Sequence, residues 1–156
     1  MKKRHIALLG MPACGKSTMG RKLAQLFSMP FVDTDAFIVT QTGKTVNAIF
    51  DEQGEEGFRK LERQTLEHLL SLSDPAIIAV GGGTPCFFDN MSLINANAFT
   101  IYLKIDAENL FPRLARDKRR PLVKDKSSEE LMKYIADTLN IRKPYYEQAD
   151  LTILNS

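Results

Sequence analysis

Short apolar runs alternate along the chain with longer segments in which apolar residues return at helical spacing. The apolar runs predict five strands, at residues 6–9, 31–33, 76–80, 99–103 and 151–154. The longer segments predict helices that begin at residue 16, span 58–72 and 107–116, and run from 128 to a stop at Pro144. Because continuous apolar strands are typical of sheets covered on both faces, this order favours an α/β fold with a mainly parallel sheet.

The helical spacing also predicts which side chains face the core. The inward sets are Met19, Leu23, Leu26 and Phe27 in the first helix, Phe58, Leu61, Leu69 and Leu72 in the second, and Leu131, Met132, Ile135 and Leu139 in the last. Residues 34–57 show no clear period, and three glycines interrupt them. The chain contains no internal repeat and no linker, so residues 1–156 are expected to form one domain.

Composition narrows the class of protein. The 156 residues are 44% hydrophobic and carry a formal net charge of +2, which is too small to favour nucleic acid or a membrane surface as a partner. The basic start of the chain leads into an apolar run too short for a signal peptide, so a cytoplasmic protein is expected. Cys14 and Cys86 have no partners at metal-ligand spacing, and a disulfide between them is disfavoured in such a compartment.

Residues 10–17 read GMPACGKS and match the phosphate-loop pattern G-x-x-x-x-G-K-[ST]. A strand precedes the motif and a helix follows it, so backbone N–H groups and the helix N-terminus would face bound phosphates. Lys16 would reach the β and γ phosphates, and the Ser17 hydroxyl would bind Mg²⁺. The alternative is a tight strand-to-helix turn that binds nothing.

Two acidic residues, Asp33 and Asp35, follow the second predicted strand. Ligands of open α/β sheets collect outside the carboxyl ends of the strands, so the pair could serve a metal and a substrate hydroxyl. Aspartate is also a favoured helix N-cap, and the pair alone does not separate the two interpretations.

Further candidates lie at Arg59 with Glu62, and at the triple glycine of residues 81–83. Glu62 is three residues after Arg59 and could hold its guanidinium group, although a solvated ion pair has the same spacing. The glycines follow a buried strand and would let a ligand approach the backbone, or would form a flexible turn.

Basic residues are dense between positions 113 and 126. This segment could close over phosphates or be a solvated loop, and its lack of aromatic residues argues against nucleic-acid binding. Arg142, near the end of the last predicted helix, could bind an anion or only complement the helix dipole.

Cys14 lies inside the phosphate loop, and its side chain has two possible environments. Exposed to the positive field of the loop it would be a reactive thiolate, whereas burial in the core would make it inert. Neither His5 nor His68 is placed to serve it as a base, and both are expected to be structural or solvated.

Taken in order, six motifs resemble those of the shikimate kinases. They are GMPACGKST at 10–18, D-x-D at 33–35, I-F-x-x-x-G-E-x-x-F-R-x-x-E at 49–62, G-G-G at 81–83, R-P-L at 120–122 and R-x-P-x-Y at 142–146. The resemblance implies a nucleoside-monophosphate-kinase-like fold of three layers, with a five-stranded parallel sheet flanked by helices. It also implies a substrate-binding region at about 34–60 and a mobile lid at about 117–127.

The same resemblance implies the activity and the site residues. ATP would phosphorylate the 3-hydroxyl of shikimate, on the route to chorismate and the aromatic amino acids, with Mg²⁺ as cofactor. The implied nucleotide-binding residues are Gly10, Ala13, Cys14, Gly15, Lys16, Ser17, Thr18, Arg113 and Arg120, the implied metal ligands are Ser17 and Asp33, and the implied substrate-binding residues are Asp35, Phe50, Phe58, Arg59, Gly81, Gly82, Gly83 and Arg142.

In the roles that the resemblance implies, Asp35 contacts the reacting hydroxyl, and Arg59 and Arg142 hold the shikimate carboxylate. Lys16 and Arg120 neutralise charge on the transferred phosphoryl group. Ala13 stands where the family often has glycine, and since alanine tolerates positive φ poorly, an ordinary backbone conformation is expected there.

We expect a monomer whose partners are shikimate and ATP, without nucleic acid or membrane. Two alternatives remain at this point. One is another small-metabolite kinase of the same fold, such as a gluconate kinase, and the other is a non-catalytic nucleotide-binding regulator.

Overall fold

A computed structural model describes residues 3–117 and 125–155 and contains one parallel sheet of five strands. The strands are β1 (His5–Leu9), β2 (Phe31–Asp33), β3 (Ile77–Ala79), β4 (Ala98–Lys104) and β5 (Leu151–Leu154). Their order across the sheet is β2-β3-β1-β4-β5, and every neighbouring pair is parallel. The expected α/β fold with a five-stranded parallel sheet is confirmed.

The central strand β1 explains why the sheet is buried. It pairs with β3 on one side and β4 on the other, and Ala7, Leu8 and Leu9 are completely buried. A strand in this position contacts helices on both faces, so apolar residues at consecutive positions are stabilising.

Six helices flank the sheet among the described residues, with a short 3₁₀ turn at Thr84–Cys86. They are α1 (Lys16–Phe27), α2 (Thr34–Thr42), α3 (Val46–Ser71), α4 (Asn90–Asn97), α5 (Ala107–Ala115) and α6 (Ser128–Tyr146). The Ser127 hydroxyl accepts the N–H of Glu130 at 3.1 Å, and this helix cap fixes the start of α6.

The segment at 34–57 is more regular than the sequence predicts. Helix α2 was not predicted, and α3 begins at Val46 instead of residue 58, with the Thr45 side chain capping it. Gly54 has φ 71° and ψ −177°, so it bends the helix where the sequence suggested a break. Packing explains the added helix, because Ile38 of α2 is buried against Ile49 and Phe58 of α3.

Some predicted inward positions are wrong. Leu26 and Phe27 are 73% and 52% exposed at the end of α1, where the chain turns away through a left-handed Ser28. Leu72 is 39% exposed and ends α3 instead of continuing its buried face. The spacing of apolar residues does not predict this exposure, because the last turn of a helix often lies beyond the edge of the core.

The predicted stop at Pro144 is also wrong, since α6 continues to Tyr146. A proline removes only its own N–H from the helix, and the Glu147 N–H still donates to the Lys143 carbonyl at 2.9 Å. The two extra residues matter because they place the Tyr146 side chain in the core.

Cys14 and Cys86 are both free thiols, as expected. His5 is structural: it is 1% exposed, and its Nδ1 accepts the N–H of Ala76 at 3.1 Å. Within residues 3–117 and 125–155, no helix is both long enough and apolar enough to cross a membrane.

Candidate active site

The predicted phosphate loop connects β1 to α1, at the carboxyl end of the central strand. Gly15 is the N-cap of α1 with φ 105°, and having no side chain it leaves the first N–H groups of the helix to other partners. The Lys16 Nζ donates to the carbonyls of Gly10 at 2.7 Å and Met11 at 3.0 Å. This curled loop, with an ammonium group at its centre, is built to hold an anion.

Ala13 corrects the expectation of an ordinary backbone conformation, because its φ is 66°. A left-handed alanine costs about 1–2 kcal/mol. The surrounding structure enforces it: an Arg113 guanidinium N–H donates to the Ala13 carbonyl at 3.2 Å, and the Cys14 N–H donates to Met11.

Cys14 adopts the buried alternative. Its side chain is completely inaccessible and belongs to the main apolar core, with the Sγ 3.8 Å from the Lys16 Nζ. A thiol that no reagent can approach is protected whatever its charge state.

Asp33 and Asp35 lie side by side at the start of α2. One oxygen of Asp33 accepts the N–H of Ala36 at 3.1 Å, so Asp33 is the helix N-cap that the sequence left open. Asp35 points toward the triple glycine, since a Cβ added to Gly81 would lie 2.9 Å from its Oδ1. Thr34, buried between them, accepts the Gly81 N–H at 2.9 Å and fixes the glycines against α2.

The triple glycine lies between the two predicted carboxylate-binding arginines. A Cβ on Gly83 would come within 2.8 Å of a guanidinium nitrogen of Arg59, and one on Gly82 would lie 3.0 Å from that of Arg142. Only glycine therefore lets both guanidinium groups approach this backbone. The structure brings together residues from α3, the turn after β3 and α6.

A buried acid and an aromatic ring fix Arg59. Glu62 is 2% exposed and accepts from Arg59 Nη1 at 2.7 Å, while its other oxygen accepts from the Thr84 hydroxyl. The guanidinium carbon also lies 4.1 Å from the centre of the Phe87 ring. This pair is part-buried and hydrogen-bonded, which excludes the solvated ion pair that the spacing also allowed.

Arg142 and Tyr146 are one turn apart on α6 and share a face of the helix. The Tyr146 hydroxyl donates to the Gly82 carbonyl, and its ring packs on Tyr102 with centroids 5.0 Å apart. Burial raises the pKa of Tyr146, so its hydroxyl stays protonated at neutral pH and remains a donor.

The two predicted aromatic residues pack together, with ring centroids of Phe50 and Phe58 4.8 Å apart. Phe58 is 4% exposed and its main contacts are within the α2–α3 cluster, whereas Phe50 is half-buried. Phe50 is therefore the better placed of the two to meet a ligand.

Two arginines act on the Cys86 thiol, which lies beside the triple glycine. Burial raises the pKa of the Cys86 thiol, and the positive charges of Arg142 and Arg59 act in the opposite direction. Both arginines thus favour negative charge at this half-buried point beside the triple glycine, although burial outweighs them at the thiol itself.

Arg120 and most of the predicted lid lie outside the described residues. Asp117 and residues 125–127 are described, and Ser127 begins α6.

Sequence reasoning missed three side chains at the site. The Thr34 hydroxyl accepts the Gly81 N–H, and the Thr84 hydroxyl donates to Glu62. The Asn155 side chain donates to the Cys14 carbonyl at 2.7 Å. Thr34 stands within the D-x-D motif and could have been found there. Thr84 and Asn155 carry no local signal, because their partners are 22 and 141 residues away.

The two implied metal ligands, Ser17 and Asp33, offer the oxygen atoms that a magnesium ion prefers. Ser17 supplies a hydroxyl, and only one oxygen of Asp33 takes part in the helix cap. Mg²⁺ typically takes one or two protein ligands and completes its shell with phosphate and water oxygens, so these two residues suit it.

Comparison with known proteins agrees with this geometry. The sequence profile of the family described as shikimate kinase matches residues 12–156. A shikimate kinase from Parabacteroides distasonis is 43% identical over 150 residues, which cover 96% of this chain and 86% of that protein.

Two solved structures share the fold and the family. The crystal structure of shikimate kinase from Bacteroides thetaiotaomicron has a TM-score of 0.92 at 38% identity, covering 97% of this chain and 86% of that one. The shikimate kinase from Acinetobacter baumannii in complex with shikimate has a TM-score of 0.90 at 35% identity, covering 99% and 85%. With its phosphate loop, triple glycine and paired arginines in place, this chain belongs to the shikimate kinase family.

Proposed function

We propose that this protein transfers the γ-phosphoryl group of ATP to the 3-hydroxyl of shikimate, giving shikimate 3-phosphate and ADP. The observation that carries the proposal is the approach of Arg59 and Arg142 to one glycine turn, next to Asp35 and the phosphate loop. A carboxylate held there has its hydroxyl-bearing ring between the arginines and the nucleotide site.

The arginines supply the recognition of the carboxylate. Guanidinium groups match carboxylates in planar, charge-assisted hydrogen bonds, and Arg59 is already oriented by Glu62. Fixing the carboxylate positions the shikimate hydroxyl for in-line attack, so the entropy cost of orienting the substrate is met on binding. Gly82, half-buried between its neighbours, and Phe50 supply the surface for the ring.

The phosphate loop supplies the nucleotide site. Backbone N–H groups from Gly15 to Thr18 are the donors to phosphate oxygens, and Lys16 transfers its hydrogen bonds from loop carbonyls to the β and γ phosphates. Ser17 and Asp33 would hold Mg²⁺, which would supply positive charge to the phosphate oxygens.

Asp35 orients the acceptor hydroxyl and accepts its proton as the new phosphorus–oxygen bond forms. Its position against Gly81 supports this role, because the glycines carry the acceptor site. Arg120 contributes charge to the transferred group, as the family resemblance implies. Arg113 lies beside the loop and binds the adenine face of the nucleotide while holding Ala13.

A substrate comparison tests the proposal. Shikimate, gluconate and nucleoside monophosphates are offered separately with Mg-ATP, and kcat/KM is measured for each. Shikimate should be preferred by orders of magnitude. Preference for gluconate would favour the related kinase, and the absence of any turnover would favour a nucleotide-binding regulator.

The Asp35→Asn variant tests the chemistry within that assay. The amide keeps the size of the side chain but accepts no proton, so kcat should fall by about 100-fold or more. Mg-ATP binding should be retained, measured by calorimetry. Turnover close to that of the unchanged protein would remove Asp35 from the reaction.

We further propose that the protein acts as a cytoplasmic monomer on these small partners, without nucleic acid or membrane. Lys16, Asp35 and both arginines come from one chain, so the site needs no second copy to be complete. Sedimentation at several protein concentrations measures the state directly.

A further inference from the structure

Asn155 connects the edge of the sheet to the phosphate loop. It directly follows β5, and its backbone N–H donates to the Lys104 carbonyl at 2.8 Å, which continues the pairing of β5 with β4. Its side-chain Nδ2 donates to the Cys14 carbonyl at 2.7 Å. The sheet therefore fixes the position from which this amide reaches the loop.

The loop is shaped to receive the amide. A Cβ on Gly15 would lie 2.8 Å from Asn155 Nδ2, and Gly15 already has φ 105°. The contact therefore requires glycine at this position both for the backbone angle and for the space.

The hydrogen bond from Asn155 to the Cys14 carbonyl fixes the orientation of one peptide plane. The carbonyl of Cys14 and the N–H of Gly15 belong to the same planar trans peptide, so they point in opposite directions. While Asn155 holds the carbonyl, the Gly15 N–H of the same peptide faces away from Asn155. Glycine offers little steric resistance to a peptide flip, and a flipped carbonyl would present its negative end to phosphate oxygens.

We propose that Asn155 is a positioning residue that holds the phosphate loop in the conformation that binds nucleotide phosphates. It acts through the Cys14–Gly15 peptide and does not touch the reacting atoms. The inference rests on the proposed function, specifically on residues 10–18 as the phosphate site.

The test compares Asn155→Ala with Asn97→Ala. Asn97 is the matched control, because its Nδ2 also donates to a backbone carbonyl, that of Leu93 at 2.9 Å, far along the chain from the loop. Asn155→Ala should raise the Kd of Mg-ATP and of Mg-tripolyphosphate by the same factor, about 2- to 10-fold. The KM for shikimate should not change, and Asn97→Ala should leave all three constants unchanged.

Tripolyphosphate separates the loop from the base, since it has no adenine. Weaker ATP binding with unchanged tripolyphosphate binding would mean that Asn155 acts on the base, and the proposal would be wrong. Unchanged binding of both would also overturn it. A purely structural role would lower the melting temperature and leave both Kd values unchanged.

Two more variants complete the design. Asn155→Asp has the same shape but only acceptor oxygens, so it should weaken the binding of both phosphate ligands more than Asn155→Ala does. If the alanine variant fails to fold, the comparison of Asn155→Asp with the unchanged protein decides the question. Lys16→Met tests the underlying site: normal tripolyphosphate binding by that variant would contradict the phosphate-loop assignment itself, independently of Asn155.

Discussion

Arg59 and Arg142 are the same residue type at the same glycine turn, yet they are held differently. The Arg59 side chain is 13% exposed, lies over the Phe87 ring and forms an ion pair with Glu62, which is 2% exposed. Arg142 is half-buried on α6 and approaches Gly82 without such a buried acid among its described contacts. Removing one should therefore have a different effect on the fold from removing the other.

Arg59→Ala and Arg142→Ala should each raise the shikimate KM by roughly 10- to 100-fold, because each loses a charge-assisted contact worth about 1.5–3 kcal/mol. The Kd of Mg-ATP should change little. Only Arg59→Ala should also lower the melting temperature clearly, since it leaves the Glu62 carboxylate buried and unpaired. Equal melting temperatures for the two variants would contradict the structural role of Glu62.

Cysteine labelling should follow burial. Iodoacetamide should modify half-buried Cys86 well before Cys14, which is completely buried. Because burial raises the pKa of Cys86 above its ordinary value of 9.0, the labelling rate should keep rising with pH up to and beyond that value. Peptide mapping by mass spectrometry gives both rates.

Arg59 and Arg142 both favour the reactive thiolate form of Cys86. Shikimate should slow the labelling of Cys86, since its carboxylate would offset the positive charge of these arginines. Faster labelling of Cys14, with protection by Mg-ATP, would instead support the reactive thiolate that the sequence left open.

Most residues of the candidate site could be proposed from the sequence because they stand in contiguous motifs. Lys16, Asp35, Arg59 and Arg142 lie where their motifs put them. The backbone of Ala13 was not predictable, because its positive φ depends on a hydrogen bond from Arg113, 100 residues away. The residue type at position 13 alone does not reveal a backbone conformation that a residue of a distant helix imposes.

At the scale of elements, α6 joins the proposed carboxylate-binding site to the core. Arg142 faces the triple glycine, and one turn later Tyr146 is completely buried against Tyr102 and bonded to the Gly82 carbonyl. The helix thus holds the glycine turn and presents a guanidinium group to it through the same face. Its continuation past Pro144 is necessary for this arrangement.

Tyr146→Phe should raise the shikimate KM by about 2- to 10-fold, since the Gly82 carbonyl loses a hydrogen bond while the ring packing remains. The Kd of Mg-ATP should be unchanged. Tyr102→Phe is the matched control, because it removes a hydroxyl from the stacked partner, which is also buried. Equal effects of the two changes on the shikimate KM would contradict a specific role for Tyr146.

The elements that the sequence missed have weak local patterns. Helices α2 and α4 are nine and eight residues long, and in neither do apolar residues mark one clear face. Gly43 and Gly54, which suggested an irregular segment, instead end α2 and bend α3, with φ 69° and 71°. Tertiary packing of α2 on α3 determines structure that neither segment specifies alone.

At the scale of the whole molecule, strand order places the triple glycine and Asn155 on opposite sides of β1. The triple glycine follows β3, next to β1 on one side, and Asn155 follows β5, beyond β4 on the other. The phosphate loop at the end of β1 is therefore between the triple glycine and the β5 edge of the sheet. Parallel strands make this possible because their carboxyl ends meet at one edge.

Acid stability should depend on Asp150, which joins the start of β5 to β4 and to the N-terminal segment. The Lys3 ammonium at 2.7 Å and the Thr100 N–H at 3.0 Å lower the pKa of Asp150 below its ordinary value of 3.8. A lowered folded-state pKa stabilises the fold above pH 3.8, and this stabilisation is lost as the pH falls through the folded-state value.

Asp150→Asn should therefore reduce the free energy of unfolding at pH 6, and the difference from the unchanged protein should shrink below pH 3.8. Urea unfolding at several pH values gives the comparison. The effect should be modest and weaker in high salt, since the Lys3 pair is partly exposed. A difference that does not vary with pH would mean that the carboxylate charge contributes nothing.

The closeness of the glycine backbone to Arg59 and Arg142 has a consequence for drug resistance. Any side chain at residue 82 or 83 would come within 3.0 Å of a guanidinium nitrogen. A carboxylate inhibitor could bind to these arginines and to the glycine turn. A mutation that removed one of these contacts would also weaken binding of the proposed substrate. Resistant mutants to such a compound should arise through overproduction or reduced uptake, and few of them should carry a substitution in its binding site.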